Sequence, residues 1–355
     1  MIQAQLKLRL TKAQERTLVR WLWHLTGVYN WTIRKIEQDA ALHIRHSVFD
    51  LKSYVTGHSR KLGIPATVLT GTIGTAHNAW QRCFQRLARR PKLKSQRNRL
   101  RAIAFGHGED FRFYGSRISV PGMGRLRFHQ QDVPQGRIGT ARIVRRASGW
   151  YLCLFIHAEP NAIPVTAHGA VGIDPGFTSL LTLSTGEKVE HPRELQRTAG
   201  RLAQAQRGNR KRLTARLLER QANQRKDRNH KLSRRLVSEN ALIAWSADRT
   251  KAIAQTFGKS VTAAAHFQLR QMLTYKSRTG GRRYVEVSNR HSTRTCSACG
   301  ALSGPTGYAG LSVRQWQCAC GASHDRDCNA AVNTLHAGLR TSLDRAGDGT
   351  SGIAI

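Results

Sequence analysis

The first ten residues, MIQAQLKLRL, alternate in character. Ile2, Ala4, Leu6, Leu8 and Leu10 fall on one face, and Gln3, Gln5, Lys7 and Arg9 on the other. A period of two predicts a half-buried strand. Thr11 can then cap a helix through Glu15, Leu18, Leu22 and Leu25, its side-chain oxygen accepting a free backbone N–H. A second helical stretch carries Val28-Tyr29-Asn30-Trp31, Ile33 and Ile36. A third, Gly71 to Arg90, turns basic towards its end at Arg82, Arg86, Arg89 and Arg90. From Arg97 to about Pro160 short strands alternate with glycine turns, as in RISVPGMGRLRF and ARIVRRASGWYLCLFIHAE. The pattern predicts a small basic β-barrel (1–10 and 97–168) with a helical lobe (11–96) inserted after its first strand.

A second block opens at Ala170-Val171-Gly172-Ile173-Asp174, continues through Leu180-Leu181-Thr182-Leu183, and turns at Ser184-Thr185-Gly186 into a third strand. From Pro192 to Asn240 the chain reads as one or two long helices rich in Arg, Lys and Gln. A strand (Ala241–Trp245), a helix around Gln268, Met272 and Tyr275, and a strand carrying Glu286 follow. A last helix starts near Asp327 and is expected to span 324–336. The closing stretch, LRTSLDRAGDGTSGIAI, reads as a loose, disordered tail over 337–355. The fold class is therefore multidomain α+β.

A chain of 355 residues should form roughly two or three domains. Charge adds the decisive fact: 58 Lys+Arg against 21 Asp+Glu give a formal +37. That excess goes well beyond what solubility needs and points to a polyanion partner. The basic helical arm, 192–240, has few acidic residues at helical spacing to neutralise it. Its candidate nucleic-acid contacts are Arg207, Arg210, Lys211, Arg212, Arg220, Arg225, Lys226 and Arg228. No run of about 18 apolar residues occurs, and the N-terminus lacks the apolar core of a signal peptide. Seven cysteines, four clustered and three scattered (Cys83, Cys153, Cys328), suit a reducing compartment. A cytoplasmic, nucleoid-associated location is expected, with no membrane partner.

The four clustered cysteines, Cys296, Cys299, Cys318 and Cys320, read C-x2-C, 18 residues, C-x-C. Paired thiolates at such spacing supply the tetrahedral soft ligands of a structural zinc site. Gly300 and Gly321 follow the two pairs and let the backbone turn. His291 and His324 flank the cluster. Three carboxylates stand at strand or helix ends: Asp174, Glu286 and Asp327. Alone, an Asp before Pro-Gly is ordinarily a turn residue, and an Asp at a helix start a cap. Together, beside so much positive charge, they suggest two-metal phosphodiester hydrolysis, which needs about three converging carboxylates. Gly258-Lys259-Ser260 is not a phosphate loop, because Ile253 stands where its first glycine belongs.

The order of Gly-Ile-Asp-Pro-Gly, a basic arm, FGKSVTAAAHFQLRQMLTYK, VEVSNRHSTRTCSACG, WQCACG and HDRDCNAAVNTL resembles the TnpB family. These are transposon-encoded RNA-guided DNA endonucleases, ancestral to the type V CRISPR effectors. LRLTKAQERTLVRWLWHLTGVYNWTIRKI and AWQRCFQRLARRPKLKS extend the resemblance over nearly the whole chain. It implies a wedge barrel with an inserted recognition lobe and an RNase H-like RuvC domain over 169–290. A zinc finger (291–323) and the last RuvC helix (324–336) complete it. It further implies Mg²⁺ on an Asp-Glu-Asp set, structural Zn²⁺, a guide RNA from the element itself, and double-stranded target DNA read beside a short adjacent motif. Asp174 matches the first Asp, Asp327 the last, and Asp325 the neighbouring acid. The family's usual glutamate position falls on Ser246 in LIAWSADRTKAI, and a serine supplies no ionised ligand. A branch of the family carries its glutamate on a later strand, which Glu286 matches; Asp248 is a remoter substitute. The expected set is Asp174, Glu286 and Asp327. The rival readings are a guide-dependent regulator that does not cut and a guide-free DNA-binding accessory of transposition.

Overall fold

In the computed structural model, β1 (Ile2–Arg9) has the predicted alternation, with Ala4, Leu6 and Leu8 buried. The structure describes residues 2–347 apart from 96, 106–110, 159–162, 165, 167, 177, 191–193, 248–263, 307–309 and 311. β1 serves two partners in succession. Ile2–Lys7 pair antiparallel with β7 (Gly149–His157), whereas Leu8 and Arg9 pair with β5 (Gly124–Phe128). It thereby joins β2 (Ala102–Phe105), β6 (Arg137–Arg146) and β7 to β5, β4 (Arg117–Val120) and β3 (Phe113–Tyr114). The sheet order is β2-β6-β7-β1-β5-β4-β3. No β2–β3 pairing closes it among the described residues, so the expected barrel is an open seven-stranded sheet.

Four helices lie between β1 and β2. Thr11 caps α1 (Lys12–Ala41) in a full capping box: Gln14 N–H donates to Thr11 Oγ1, and Thr11 N–H to Gln14 Oε1. Nothing in the sequence breaks this helix, and the two predicted helical stretches are one. α2 (Val48–Thr56), α3 (Ser59–Leu62) and α4 (Ala66–Phe84) follow. Leu18, Trp21 and Leu25 of α1 and Leu69 and Ile73 of α4 bury against Leu6, Ile103, Ile143 and Leu152 of the sheet. These elements belong to one compact unit, Met1–Pro160, and the remainder to another, Asn161–Ile355.

The second unit is built on a mixed sheet, β10-β9-β8-β11-β12. β8 (Gly169–Pro175), β11 (Asn240–Ala247) and β12 (Arg283–Ser288) are parallel; β9 (Ser179–Leu183) and β10 (Lys188–Glu190) are antiparallel additions. The basic arm is a pair of helices, α5 (Glu194–Arg207) and α6 (Lys211–Glu239). One face of the sheet, with Val171, Ile173, Ile243 and Trp245, packs on α6 and α7 (His266–Thr279) through Leu236, Leu269 and Leu273. The other face carries Leu242, Ala244, Val285 and Val287. It meets α8 (Arg326–Gly347), which continues well past the end expected for it; the tail predicted as disordered from residue 337 is helical to Gly347.

α8 approaches the sheet very closely. A Cβ on Gly172 would sit 2.0 Å from the Ala331 carbonyl oxygen, and one on Gly338 would sit 2.4 Å from Ala244 Cβ. A glycine on the strand and another on the helix therefore set the helix–sheet distance. Arg283, at the start of β12, donates to the Ser342 carbonyl. The helix thus runs against the strands, with its N-terminus at their C-terminal edge. Gly172→Ala should destabilise this unit by about 3 kcal/mol, because backbone rather than a flexible side chain must yield. Chemical denaturation would measure it.

Candidate functional site

Register decides which carboxylates can meet. In the parallel strands, Ile173, Trp245 and Glu286 stand side by side; one residue on, Ser246 pairs with Val287 at the level of Asp174. Side chains alternate between faces along a strand, while laterally paired residues share one. Asp174, Ser246 and Val287 therefore face α8, and Glu286 faces α7. The expected convergence of Glu286 with Asp174 and Asp327 does not occur. Glu286 is instead bound to Arg270 of α7, whose Nε and Nη2 lie 3.1 and 2.6 Å from its two oxygens. The Tyr284 hydroxyl also donates to it, at 3.1 Å. Burial pushes the Tyr284 phenol up, and the Glu286 charge adds to the shift. Asp248, the other substitute considered, lies outside the described residues.

The α8 face keeps two of the expected acids at its C-terminal edge. Asp174, next to last in β8, is half-buried opposite Thr182 of β9. Asp327 lies in the first turn of α8, also half-buried. Arg314 Nη1 is 3.4 Å from both Asp327 oxygens, and its Nη2 is 3.4 Å from Thr178 Oγ1, just beyond the end of β8. Asp325 is otherwise engaged. Its Oδ1 accepts the N–H groups of Asp327 and Cys328, capping α8, and its Oδ2 lies 2.7 Å from Lys188 Nζ. Burial works against its charge, but Lys188 and the Cys328 N–H outweigh that and hold its carboxyl below the usual range. Ser246, on the same face of the sheet as Asp174, is fully buried, with no partner for its hydroxyl among the described residues. A buried orphan hydroxyl costs about 1–3 kcal/mol.

The cysteines do converge. The four sulfurs lie within 4.8 Å of one another, the one such cluster of three or more metal-ligating groups among the described residues. Two short turns present them: Gly300 N–H donates to the Cys296 carbonyl and Gly321 N–H to that of Cys318, with φ of 80° and 89° at the glycines. The backbone N–H of Cys320 and the Ser303 hydroxyl pull the Cys318 thiol down to about 6. At Cys299 the Ala301 N–H favours the thiolate, yet the three neighbouring sulfurs push the thiol up to about 12. Adjacent thiolates repel unless a cation lies between them, and this donor set suits zinc. His324 Nε2 is 3.0 Å from Cys296 Sγ, whereas His291 bonds to Arg290. The knuckle is latched to α8 by residues the sequence did not single out. Asn329 and Asn333, one turn apart, both donate to the Ser292 and Thr295 carbonyls, and Asn329 Oδ1 accepts Ser297 N–H.

Of the basic positions on the arm, Arg207, Arg210, Lys211, Arg212, Arg220 and Lys226 are exposed and Arg225 is half-buried. Arg228 is used within the fold, donating to the Ala264 carbonyl at 3.2 Å. No described helix is long and apolar enough to cross a membrane.

Comparison with known proteins bears out the resemblance read from the sequence. Residues 156–246 match the family model described as "Probable transposase", and residues 266–334 match "Cas12f1-like, TNB domain". Over 236 residues the chain is 39% identical to a Streptomyces pristinaespiralis protein named as an RNA-guided DNA endonuclease. That match covers 62% of this chain and 57% of the relative, so the chain spans little more than half the relative's length. InsQ of Escherichia coli (strain K12), named likewise, is 24% identical over 304 residues, 77% of this chain and 75% of that protein. Among solved structures, a Cas12f1–sgRNA–target DNA complex aligns with 94% of this chain and 99% of its own. The identity there is 16% and the TM-score 0.38.

The metal site makes a direct prediction. Purified protein should carry about one zinc per chain by elemental analysis. Cys318→Ser should lose the metal and lower the melting temperature, since the knuckle it would loosen is latched to α8.

Proposed function

We propose that the chain is an RNA-guided DNA endonuclease of an insertion sequence, working through an RNase H-like, RuvC-type domain. The observation that carries this reading is the placement of Asp174 and Asp327 on one face, at one edge, of a sheet ordered β10-β9-β8-β11-β12. Strand ends are where an open α/β sheet exposes side chains to a ligand. The two carboxylates are hard oxygen donors suited to Mg²⁺, which when bound supplies Lewis acidity to a phosphodiester and its attacking water. Arg314 balances the charge of Asp327 and adds a guanidinium beside the end of β8. The exposed arginines and lysines of α5 and α6 would hold guide RNA or heteroduplex through its phosphates, with affinity that falls as salt rises. The first unit would serve as wedge and recognition lobe, reading the short adjacent motif while base pairing reads the target.

One observation favours a second reading. The position where the family's glutamate falls is Ser246, and Glu286 lies on the opposite face of the sheet. A site with two carboxylates supports a guide-directed DNA-binding regulator that does not cut.

Plasmid cleavage in Mg²⁺, with protein co-expressed with its flanking RNA, separates the two. The endonuclease reading expects cutting that Asp174→Asn abolishes and Glu286→Gln leaves intact. The regulator reading expects guide-dependent binding without cutting, and a gain of cleavage in folded Ser246→Glu. Protein that co-purifies with no discrete RNA and binds without a guide would sink both.

A further inference from the structure

One stripe of α1 is unlike the rest of the first unit. Lys12, Arg16, Arg20, Trp23, Gly27 and Trp31 follow one another at three- and four-residue steps, the spacing of one helix face, and all are exposed. The basic end lines a groove of about 700 Å³, together with Arg99. Glu15, the acid in that groove, is engaged with the indole N–H of Trp150 at 3.2 Å. Trp23 is shared with a second groove of about 810 Å³ that continues past Gly27 and Trp31 to Tyr54 and Lys94. Trp23 is 48% exposed, Trp31 36% and Tyr54 50%. Lys94 is held at the mouth by Asn30, which donates to its carbonyl and accepts its N–H, both at 2.8 Å.

Gly27 is the informative residue. Glycine in a helix interior costs about 1 kcal/mol relative to alanine. A Cβ there would meet nothing within 4 Å, and Gly27 is a helix-interior residue of α1. Neither packing nor backbone conformation asks for glycine. It leaves a notch midway between two indoles about 12 Å apart along the axis. That span accepts about two stacked bases at roughly 3.4 Å each.

We propose that this groove binds single-stranded nucleic acid, with unpaired bases stacked on Trp23 and Trp31 over Gly27 and phosphates on Lys12, Arg16 and Arg20. The exposed aromatics alone would suit an apolar partner, but the cationic groove continuous with them selects a polyanion. Stacking on indoles needs free base faces, which a duplex does not offer. The inference specifies a partner for the nucleic-acid reading above but does not rest on cleavage.

Fluorescence anisotropy of full-length protein, with labelled oligo(dT), oligo(U) and a blunt duplex and no added divalent ion, tests it. Gly27→Ala should raise the melting temperature and yet weaken single-strand binding, a combination that a structural role for the glycine does not produce. Trp31→Ala should weaken single-strand binding about tenfold and leave duplex binding as it was. Preference for oligo(U) or oligo(dT) identifies the strand as RNA or DNA. Wild-type single-strand affinity in both variants, or an equal loss for duplex and single strand, would overturn the proposal. Because no cutting is read, its failure leaves the nuclease reading standing, and the reverse also holds.

Discussion

The pleat of three parallel strands governs the second unit. β8, β11 and β12 are locked side by side with Ile173, Trp245 and Glu286 in one row, and that row faces α7. A one-residue shift would move every side chain of a strand to the other face, forcing Trp245 into the close α8 interface, so the register is strongly held. Everything about the candidate catalytic face follows from it. Asp174 and Ser246 have to share the α8 side, and Glu286 has to share the α7 side, whatever chemistry each could otherwise perform.

The second determinant is how near α8 lies. Gly172 and Gly338 let helix and strand backbones touch, and α8 then carries three tasks along one length. Its first turn presents Asp327, its next turns clamp the cysteine knuckle through Asn329 and Asn333, and its far end meets Arg283 of β12. The cysteine knuckle and Asp327 are thereby tied to one helix. Arg314, just ahead of the short strand Gln315–Gln317, reaches to Asp327.

Much of this was legible in the sequence because local rules sufficed. The alternation of β1, the Thr11 cap, the paired cysteines with their glycines and the strand carrying Asp174 each obey short-range chemistry. The α1 stretches merged because a capping site and continuous periodicity, without a breaker, leave one helix as the simplest outcome. Glu286 failed for a long-range reason. Its opposition to Val285 and Val287 was readable, but which face those valines take depends on α8 packing from beyond the cysteine knuckle. The asparagine latch was invisible for the same reason: its partners are carbonyls, which carry no side-chain signature. The tail misled because its glycines and polar residues outweighed an apolar periodicity that α8 satisfies only on contact with the sheet.

β1 has a consequence for synthesis. It sits at the middle of its sheet, yet it is made well before its principal neighbour β7, which begins only at Gly149. At typical elongation rates on the order of ten seconds separate the two. Until β5 and β7 follow, this alternating strand has neither edge paired, the state in which nascent chains mispair with one another. Lys7 and Arg9, interleaved with Leu6 and Leu8, are charges of the kind that hinder such pairing. The same two charges that lie between leucines in the finished sheet thus disfavour mispairing before there is a sheet to belong to.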